Sequence, residues 1–522
     1  MSGMFDSKQD KAKKKIERTK QEEKERRKSR RFIAIVIAVL LVVSALAITI
    51  NSSFIRRTLP VVTIDGVSFT TAEFEYFVND EHLSARAQLQ GMEAMLPDPG
   101  RPLSAQQSIT EGVTWGEHFI GQALESLTEI VALYNAANAS GFILPQEEHD
   151  LINEEMAMMT IHALNGGFQS SEQLLQHTFG VAMTNDIYRS ILEFVALARA
   201  YSEHVLESFE YSDAELAAYY EENRDDLDFF NFRIVTIRAE MLDEHDFATT
   251  EDYEEALSGA LEEARASAYN IIDGVEDEYD FISAAEIHDF LVFHDPDASL
   301  RQTQGEWLPA DTRDWMTDDA RANGDTVVIE GEDVFFALFF ISRDDNNYRI
   351  AGMRQLLISR AFVDPHEFDL GELDPAYILA VEEAEEDIRE RAATVRELFE
   401  AAGETEDALI ELMIEHSDDF TDEGYYPNIA QAFYQGETFT ALRVVPEIQE
   451  WLFEENREIG DWELIYTEAF GYHFVFFTGY GDVYADLIAD DRLRVNEHEE
   501  WVDNLPRDTA PQRHPAFILV NV

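Results

Sequence analysis

The sequence predicts an α+β protein with a single N-terminal transmembrane helix, a helical domain and two repeated β-α-β units. Three observations lead to this fold class. Residues 32–50 form an uncharged apolar run, residues 51–228 carry mainly helical patterns, and residues 229–485 show the same order of strands and helices twice. The chain beyond the apolar run is long enough for about three domains, at ~150 residues per domain.

The apolar run 32–50, FIAIVIAVLLVVSALAITI, has the length of a membrane-spanning helix. At about 1.5 Å per residue it extends roughly 28 Å, close to the ~30 Å hydrocarbon core of a bilayer. Residues 1–31 before it are rich in Lys and Arg, and positive charge favours the cytoplasmic side. We therefore expect a basic cytoplasmic tail, contact with the lipid bilayer through 32–50, and an extracytoplasmic location for the rest. A cleaved signal peptide is the alternative, although its apolar core is usually shorter.

The composition narrows the classes of partner. The chain carries 105 Asp and Glu against 39 Lys and Arg, a net charge of −66, and it contains no Cys. An acidic surface repels the phosphate backbone, so we expect no nucleic-acid partner. The lack of Cys excludes disulfides, thiolate catalysis and zinc–cysteine sites. No metal-binding or nucleotide-binding motif occurs, so we expect no metal and no cofactor.

Residues 51–228 are interpreted as a helical domain. It begins with a hairpin over 61–69, which an Asp-Gly turn marks. Thr70 and Glu73 then form a capping-box pattern at the start of the first helix. The predicted helices cover 71–96, 115–140, 146–160, 171–178, 184–208 and 211–224.

Residues 229–347 and 348–485 are interpreted as two copies of one unit, each with an apolar strand at both ends and helices between. The first copy has strands at 232–239 and 333–342 and helices at 250–273 and 311–322. The second copy has a strand at 348–358, helices at 372–402, 404–416 and 445–455, and a final strand within 465–479. In the remaining segment, 486–522, the apolar tail 515–522 is expected to pair as a strand with 61–69.

Several segments resemble the parvulin-type folding factors, the family of the SurA, PpiD and PrsA proteins. Val61–Phe77 is similar to the start of their chaperone domain, and Tyr211–Asp225 to the helix that leads into a parvulin domain. In the second unit, four motifs follow the parvulin (PpiC-type) order: Ser417-Asp418-Asp419, Gly424-Tyr425-Tyr426, Val444-Val445-Pro446-Glu447 and Phe470-Gly471-Tyr472-His473. The resemblance implies a SurA-like helical chaperone domain followed by two parvulin-like units, the first of them degenerate.

Parvulins are peptidyl-prolyl isomerases, so the resemblance also implies site residues. The family uses two histidines on central strands, an Asp or Cys beside them, and an apolar cup for the proline ring. His473 lies at the position of the last-strand histidine, Gln355 stands where the other histidine is usual, and Asp419 fits the Asp or Cys position. The residues expected to bind substrate are Tyr425, Val444, Ile448 and Phe470.

The first copy of the β-α-β unit, residues 229–347, matches these positions poorly. Val235 occupies the first histidine position, and the final strand contains no histidine. Only Gln304-Gly305-Glu306 echoes the glycine turn. We therefore expect this unit to be non-catalytic.

Simpler alternatives remain open for the second copy, residues 348–485. His473 could be a core histidine that is hydrogen-bonded to Gln355, and Asp419 could belong to an acidic surface. The acidic stretch 418–424 holds calcium-type ligands but lacks the ligand spacing of an EF-hand, which favours a solvated loop.

The function that the resemblance implies is a membrane-anchored, extracytoplasmic folding factor: a chaperone, with or without prolyl isomerase activity. Its partners would be unfolded or proline-containing secreted polypeptides. The barrier to prolyl rotation is ~18–20 kcal/mol, so uncatalysed isomerisation can limit folding. The alternative is a non-catalytic scaffold or adaptor of the cell envelope, in which the parvulin-like units bind one specific partner.

Overall fold

The structure is a computed structural model, and it describes residues 37, 53–89, 96–287, 296–419, 424–429, 444–454, 456–507 and 509–520. These residues form an α+β fold with three small sheets. They divide into two compact units. The first contains the described residues of 1–209 and 494–522, and the second contains those of 210–493.

The predicted fold class needs a correction at the N-terminus. Among the residues that the structure describes, no helix has both the length and the apolar character needed to cross a membrane. The segment 32–50 lies outside the described residues apart from Ile37, and so does the basic tail 1–31. The fold class of the described residues is therefore α+β, without the membrane-spanning helix that we predicted for this class.

The first unit is built from a hairpin and a group of helices. The hairpin consists of β1 (Pro60–Ile64) and β2 (Val67–Thr70), which pair antiparallel. The helices are α1 (Ser53–Thr58), α2 (Thr71–Gln88), α3 (Trp115–Ser140), α4 (Gln146–Asn165), α5 (Ser171–Phe179) and α6 (Asn185–Ser208). Their shared core contains fully buried residues from the hairpin, α2 and α3, among them Val61, Phe74 and Phe119.

Local signals set the helix boundaries in this unit. The predicted capping box is present at α2, where the Thr70 amide donates to the Glu73 carboxylate at 2.7 Å. Thr114 and Glu117 form the same arrangement at α3. This helix ends at Ser140 and is capped by Gly141, whose φ of +76° lies in the left-handed region. Each signal satisfies backbone groups that the helix itself leaves without partners.

The C-terminal tail differs from the prediction. The strand that pairs with β1 is Gln512–Arg513, with Arg513 opposite Val62. The predicted strand 515–522 is instead a 3₁₀ helix at Pro515–Leu519, and its last two residues lie outside the described part of the chain. Pro515 favours this outcome, because proline has no N–H for a strand ladder and suits a first helical turn. The apolar side chains pack on the core, where the Phe517 ring lies 5.6 Å from that of Phe74.

The second unit contains two four-stranded sheets and the remaining helices. The first sheet has β3 (Phe229–Arg238), β4 (Leu300–Gln304), β5 (Thr326–Glu330) and β6 (Val334–Asp344). The second has β7 (Arg349–Ser359), β8 (Tyr425–Ile429), β9 (Trp462–Thr467) and β10 (Gly471–Val483). The helices are α7 (Asp213–Glu222), α8 (Arg224–Leu227), α9 (Thr250–Ile272), α10 (Glu278–Ile287), α11 (Ala310–Met316), α12 (Pro375–Ala402), α13 (Glu406–His416), α14 (Pro446–Leu452) and α15 (Tyr484–Asp503). The last helix, α15, begins in the second unit and ends in the first, because the division at 493/494 falls within it.

The two sheets share one topology. Their strand orders are β4-β3-β6-β5 and β8-β7-β10-β9, so each sheet follows the order second, first, fourth, third. Every strand pair is antiparallel. The sequence predicts only the two central strands of each sheet, because the edge strands are shorter and less apolar. We refer below to residues 229–344 and 349–483 as the first and second repeat.

Each face of the first sheet is covered by a different set of helices. On one face, Ile271 of α9 packs with Val235 and Phe339. On the other face, Met316 of α11 packs with Phe230. Both faces are therefore filled by apolar side chains.

The second sheet is covered in the same way. Phe399 of α12 packs on one face, with its ring centroid 4.9 Å from that of Phe474. On the other face, Ile448 of α14 packs with Met353 and Val475. We call this second surface the α14 face, because it carries the residues predicted for a site.

The boundaries of the units also differ from the predicted domains. The chain divides at 209/210 instead of 228/229, because Tyr220 and Leu227 pack with Ala489 in the second unit. The predicted segment 486–522 divides at 493/494.

Candidate functional site

Gln355 and His473 lie on the two central strands of the second sheet. His473 on β10 is opposite Leu357 on β7, and Val475 is opposite Gln355. Side chains two residues apart on a strand point to the same face, so His473 and Gln355 are diagonal neighbours on the α14 face. The pairing of β7 with β10 therefore brings these two predicted residues together.

The environment of His473 is closed. Its side chain is 3% exposed, and its Nε2 lies 2.9 Å from Oγ1 of Thr467, which is also buried. The Phe470 ring packs edge-on against the imidazole at 6.1 Å between centroids. Nδ1 has no hydrogen-bond partner among the residues that the structure describes, so the alternative in which His473 bonds to Gln355 is wrong. Burial lowers the pKa of His473 to about 4, and the ring is neutral at physiological pH.

The Ser-Asp motif is attached to the backbone of β7. The amide of Asp418 donates to the Leu357 carbonyl at 2.8 Å, and the Asp418 carboxylate accepts from the Ser359 amide at 2.8 Å. Arg391 of α12 pairs with the same carboxylate at 2.8 Å. These contacts give Asp418 a structural role. Asp419 is half-buried, and its carbonyl accepts the Ser417 hydroxyl.

Tyr425 does not lie on the α14 face. It is opposite Arg354 on β7, and the Arg354 guanidinium lies 4.3 Å from the centre of its ring. Arg354 also pairs with Glu406 of α13 at 2.9 Å, on the face of the long helices. The residue on the α14 face is the neighbour Tyr426, which is opposite Met353 and half-buried. The prediction that Tyr425 lines a cup with His473 is therefore wrong.

The other predicted cup residues divide into two groups. Val444 and Ile448 are buried in the cluster that attaches α14 to the sheet, so they are core residues. Phe470 is half-exposed in the turn before β10. Of the predicted substrate-binding residues, only Phe470 both contacts His473 and remains accessible.

Two motif glycines are required by close contact with β7. Gly424 has a φ of +61°, and a Cβ built on it would lie 2.3 Å from the Gln355 carbonyl oxygen. Gly471 has a φ of +112°, and its Cβ would lie 2.4 Å from the Ile358 carbonyl oxygen. The turns next to the predicted site therefore have a structural need for glycine.

The first repeat lacks these features. Val235 packs on the face of the long helices, so it does not correspond to Gln355. Gly305 follows the edge strand β4, whereas Gly424 precedes β8, and the predicted echo of the glycine turn is therefore displaced. These two differences leave the first repeat without a counterpart of the His473 site.

A buried polar network that the sequence patterns did not predict lies at the connection between the two repeats. Asn346, between β6 and β7, is fully buried with a φ of +57°. Its Nδ2 donates to the Tyr220 hydroxyl at 2.7 Å and to the Leu227 carbonyl at 3.2 Å. The Tyr220 hydroxyl donates to Asp228 at 2.9 Å, and Arg343 pairs with the same carboxylate. The signal for this network was the Asn-Asn pair between two apolar strands, because Asn tolerates a positive φ.

Asp344 is a second buried carboxyl beside this network. It is 7% exposed and accepts the Asn346 amide at 2.9 Å. Burial is the main cause that raises the pKa of Asp344 to about 7, and the nearby carboxylates of Asp345 and Asp228 add to the effect. A cavity of about 390 Å³ adjoins the group. The arrangement ties the connection between the repeats to α7 and α8.

Metal binding has no support in the part of the chain that the structure describes, where no group of three or more His, Asp or Glu residues is placed to hold an ion. In the stretch 418–424, residues 420–423 lie outside the described residues.

An exposed apolar surface of the first unit lies on α4. Ile152 and Ala163 are buried on one side of this helix. On the other side, Leu151, Met158, Ile161 and Leu164 are 54%, 44%, 48% and 65% exposed. Their spacing of seven, three and three residues keeps them on one broad side of the helix. We call these four residues the α4 apolar row.

A second exposed apolar segment lies in the second unit, between β7 and α12. Phe362, Leu370 and Leu373 are all largely exposed there. The segment starts at the end of β7, where the Arg360 amide donates to the Phe470 carbonyl at 3.2 Å. It is therefore close in the fold to the turn that holds Phe470.

Comparison with known proteins does not assign the chain to a family. No protein-family model matches the chain, and no curated protein matches it.

Proposed function

We propose that the protein is a folding factor that holds unfolded polypeptides on exposed apolar surface and so delays their aggregation. The observation that carries this proposal is the α4 apolar row. Such a row attracts apolar client segments because contact removes surface from water, at about 25 cal/mol per Å². The net charge of −66 favours solubility in a protein with this surface.

The repeats, in this proposal, are divergent parvulin-like units that act as binding modules. Their shared strand order and the glycines Gly424 and Gly471 support the relationship. An efficient isomerase must favour a twisted prolyl amide over a planar one, in a pocket open to substrate. His473 is buried and neutral, Gln355 replaces a histidine, and Tyr425 is on the other face. These features argue for binding without efficient isomerisation.

The clients we propose are secreted or envelope polypeptides, outside the cytoplasm. The basic segment 1–31 followed by the apolar run 32–50 is a pattern of exported proteins, and it supports this location. Protease added to spheroplasts should digest the protein. Complete protection until the cells are lysed would contradict the location.

An aggregation assay tests the main proposal. The full chain, mixed with several unrelated unfolded proteins, should slow the rise of light scattering for each of them. The triple variant Met158→Ser, Ile161→Ser, Leu164→Ser should lose most of this effect, because it removes apolar contact area from exposed positions while leaving the core unchanged. The matched control is Ile109→Ser with Val181→Ser, two exposed apolar residues of the same unit outside α4.

The same protein preparation decides between holding and catalysis. In a refolding reaction limited by prolyl isomerisation, we expect no rate gain. A gain that His473→Ala abolishes would contradict the non-catalytic part of the proposal. Failure of the unmodified protein to protect any unfolded client would end the proposal itself.

An adaptor function is the second candidate, and the exposed segment with Phe362, Leu370 and Leu373 favours it. A short segment with three apolar anchors suits one defined partner better than many clients. Protection of several unrelated clients supports the folding factor, and binding of a single protein with no protection supports the adaptor.

A further inference from the structure

The exposed side of α4 has two chemically different halves. Its N-terminal half presents Glu147, Asp150 and Glu154, all exposed. Its C-terminal half presents most of the α4 apolar row, including Met158 and Ile161. At 100° per residue, Glu147, Glu154, Met158 and Ile161 fall within one narrow sector of the helix. The acidic and the apolar halves therefore form one continuous strip.

The acidic half is available to a partner. Other acidic residues of α4 are used internally, since Glu148 pairs with Arg199 at 2.6 Å and Glu155 accepts the Tyr188 hydroxyl at 3.1 Å. Glu147 and Glu154 have no ion pair among the described residues, and Asp150 accepts only the Gln146 side-chain amide, at 3.0 Å. The helix itself contains no Lys or Arg.

Helix stability alone does not account for these three acidic residues. A negative charge in the first turn stabilises a helix through its dipole, and this explains Glu147. The effect falls off beyond the first turn, so it does not explain Asp150 or Glu154. These two carboxylates are instead next to the apolar half, where they extend the strip.

We propose that this strip selects client segments in which an apolar cluster is flanked by Lys or Arg. The proposal rests on the proposed client-binding function of α4 and names the class of client. Ile161 is eleven positions after Asp150, about 16 Å along the helix at 1.5 Å per residue. About five residues of extended client chain cover this distance. Charge complementarity at a solvated rim mainly speeds association and orders the client along the strip.

Three fluorescent peptides test the selection. They share one apolar core and carry a flank of three Lys, three Ser or three Glu on the same side. The full chain should bind the Lys peptide most tightly and the Glu peptide least tightly. The triple variant Glu147→Gln, Asp150→Asn, Glu154→Gln should weaken binding of the Lys peptide about fivefold, because each solvent-exposed ion pair contributes only modestly. Binding of the Ser peptide should not change.

The control must separate this strip from the charge of the whole chain. Glu382→Gln, Glu383→Gln and Asp387→Asn remove the same number of charges from exposed positions of α12. This control should leave all three affinities unchanged. An equal loss in both triple variants would overturn the proposal, because it would show that only the overall charge matters.

The outcomes for this inference and for the proposed function can be told apart. If the unmodified protein does not bind the Ser peptide, the proposed client binding fails. If it binds all three peptides equally, client binding stands and the selection fails. If Met158→Ser with Ile161→Ser leaves Lys-peptide binding intact, the apolar half takes no part and the strip is wrong.

Discussion

His473 is neutral because charging its ring would place a cation in a buried site without a carboxylate partner among the described residues. The ordinary pKa of 6.5 falls to about 4 by burial alone. Between these two values the unfolded chain binds more protons than the folded chain. The contribution of His473 to stability is therefore complete above about pH 6.5 and is lost as the pH falls toward 4.

The first prediction concerns this pH dependence. His473→Gln keeps a hydrogen-bonding group near Thr467 and removes the ionisable ring. The free energy of unfolding of the native chain should fall by up to about 3 kcal/mol more than that of the variant between pH 6.5 and 4. Denaturant titrations at a series of pH values measure the difference, and NMR titration of the ring should give a pKa far below 6.5.

The test must compare the free energy of unfolding of the native protein with that of the variant at each pH. Asp344 also changes stability over this pH range, and its effect has the opposite sign to that of His473. Its pKa is raised from 3.8 to about 7, so the folded chain binds more protons between these values. Its contribution is present below pH 3.8 and is lost as the pH rises toward 7. Equal pH profiles for the native protein and His473→Gln would contradict the assignment of His473 as a buried neutral base.

Single residues also show where sequence reasoning reaches its limit. The adjacency of His473 and Gln355 was predictable, because both stand in long apolar strands whose faces alternate regularly. The orientation of Tyr425 was not, because the pairing of β7 with β8 shifts register between Ala351 and Met353. A shift of one residue turns every side chain to the opposite face, and no local signal specifies it.

At the scale of elements, the long strand β10 of the second repeat depends on the glycine at its start. Gly471 opens β10, and its missing Cβ leaves room for the Ile358 carbonyl of β7. Gly403 follows α12 and has a similar φ of +96°, but its surroundings are open, with no atom within 4 Å of a built Cβ. The two glycines therefore separate the effect of backbone strain from the effect of a clash.

The second prediction uses this pair. Gly403→Ala should lower the free energy of unfolding by about 1 kcal/mol, the usual effect of an L residue in the left-handed region. Gly471→Ala should lower it by at least about 2 kcal/mol more, since the methyl group also contacts the β7 backbone. Urea titration of both variants measures the difference. Equal losses would mean that the Gly471 turn can move away from β7.

Helices were easier to predict than sheets for a physical reason. The helix predicted over 115–140 begins at Trp115 and ends at Ser140, because its caps are local in sequence. The edge strands β4, β5, β8 and β9 exist because a neighbour offers hydrogen bonds, and their own sequences are short and mixed. The tail at 515–522 was apolar enough for a strand, but Pro515 and the adjacent core turned it into a 3₁₀ helix.

At the scale of the whole molecule, charge is the dominant feature. If every one of the 39 basic residues paired with an acid, 105 − 39 = 66 acidic residues would remain unpaired. Most of the ion pairs that the structure describes involve exposed side chains, and such pairs contribute little. Repulsion among carboxylates therefore outweighs attraction, and it opposes the compact state.

The third prediction is that salt stabilises this protein. The screening length falls from about 30 Å in 0.01 M salt to about 3 Å in 1 M salt, so sodium chloride should raise the free energy of unfolding in urea. Most of the increase should occur below about 0.2 M, where screening changes fastest. The increase should be smaller near pH 4, because protonation of carboxylates lowers the net charge. A fall in stability with salt would mean that ion pairs outweigh repulsion. Salt should thus stabilise the fold, because it screens the repulsion among carboxylates. It should also weaken binding of Lys-flanked clients on α4, because it screens the attraction between the client lysines and the α4 carboxylates.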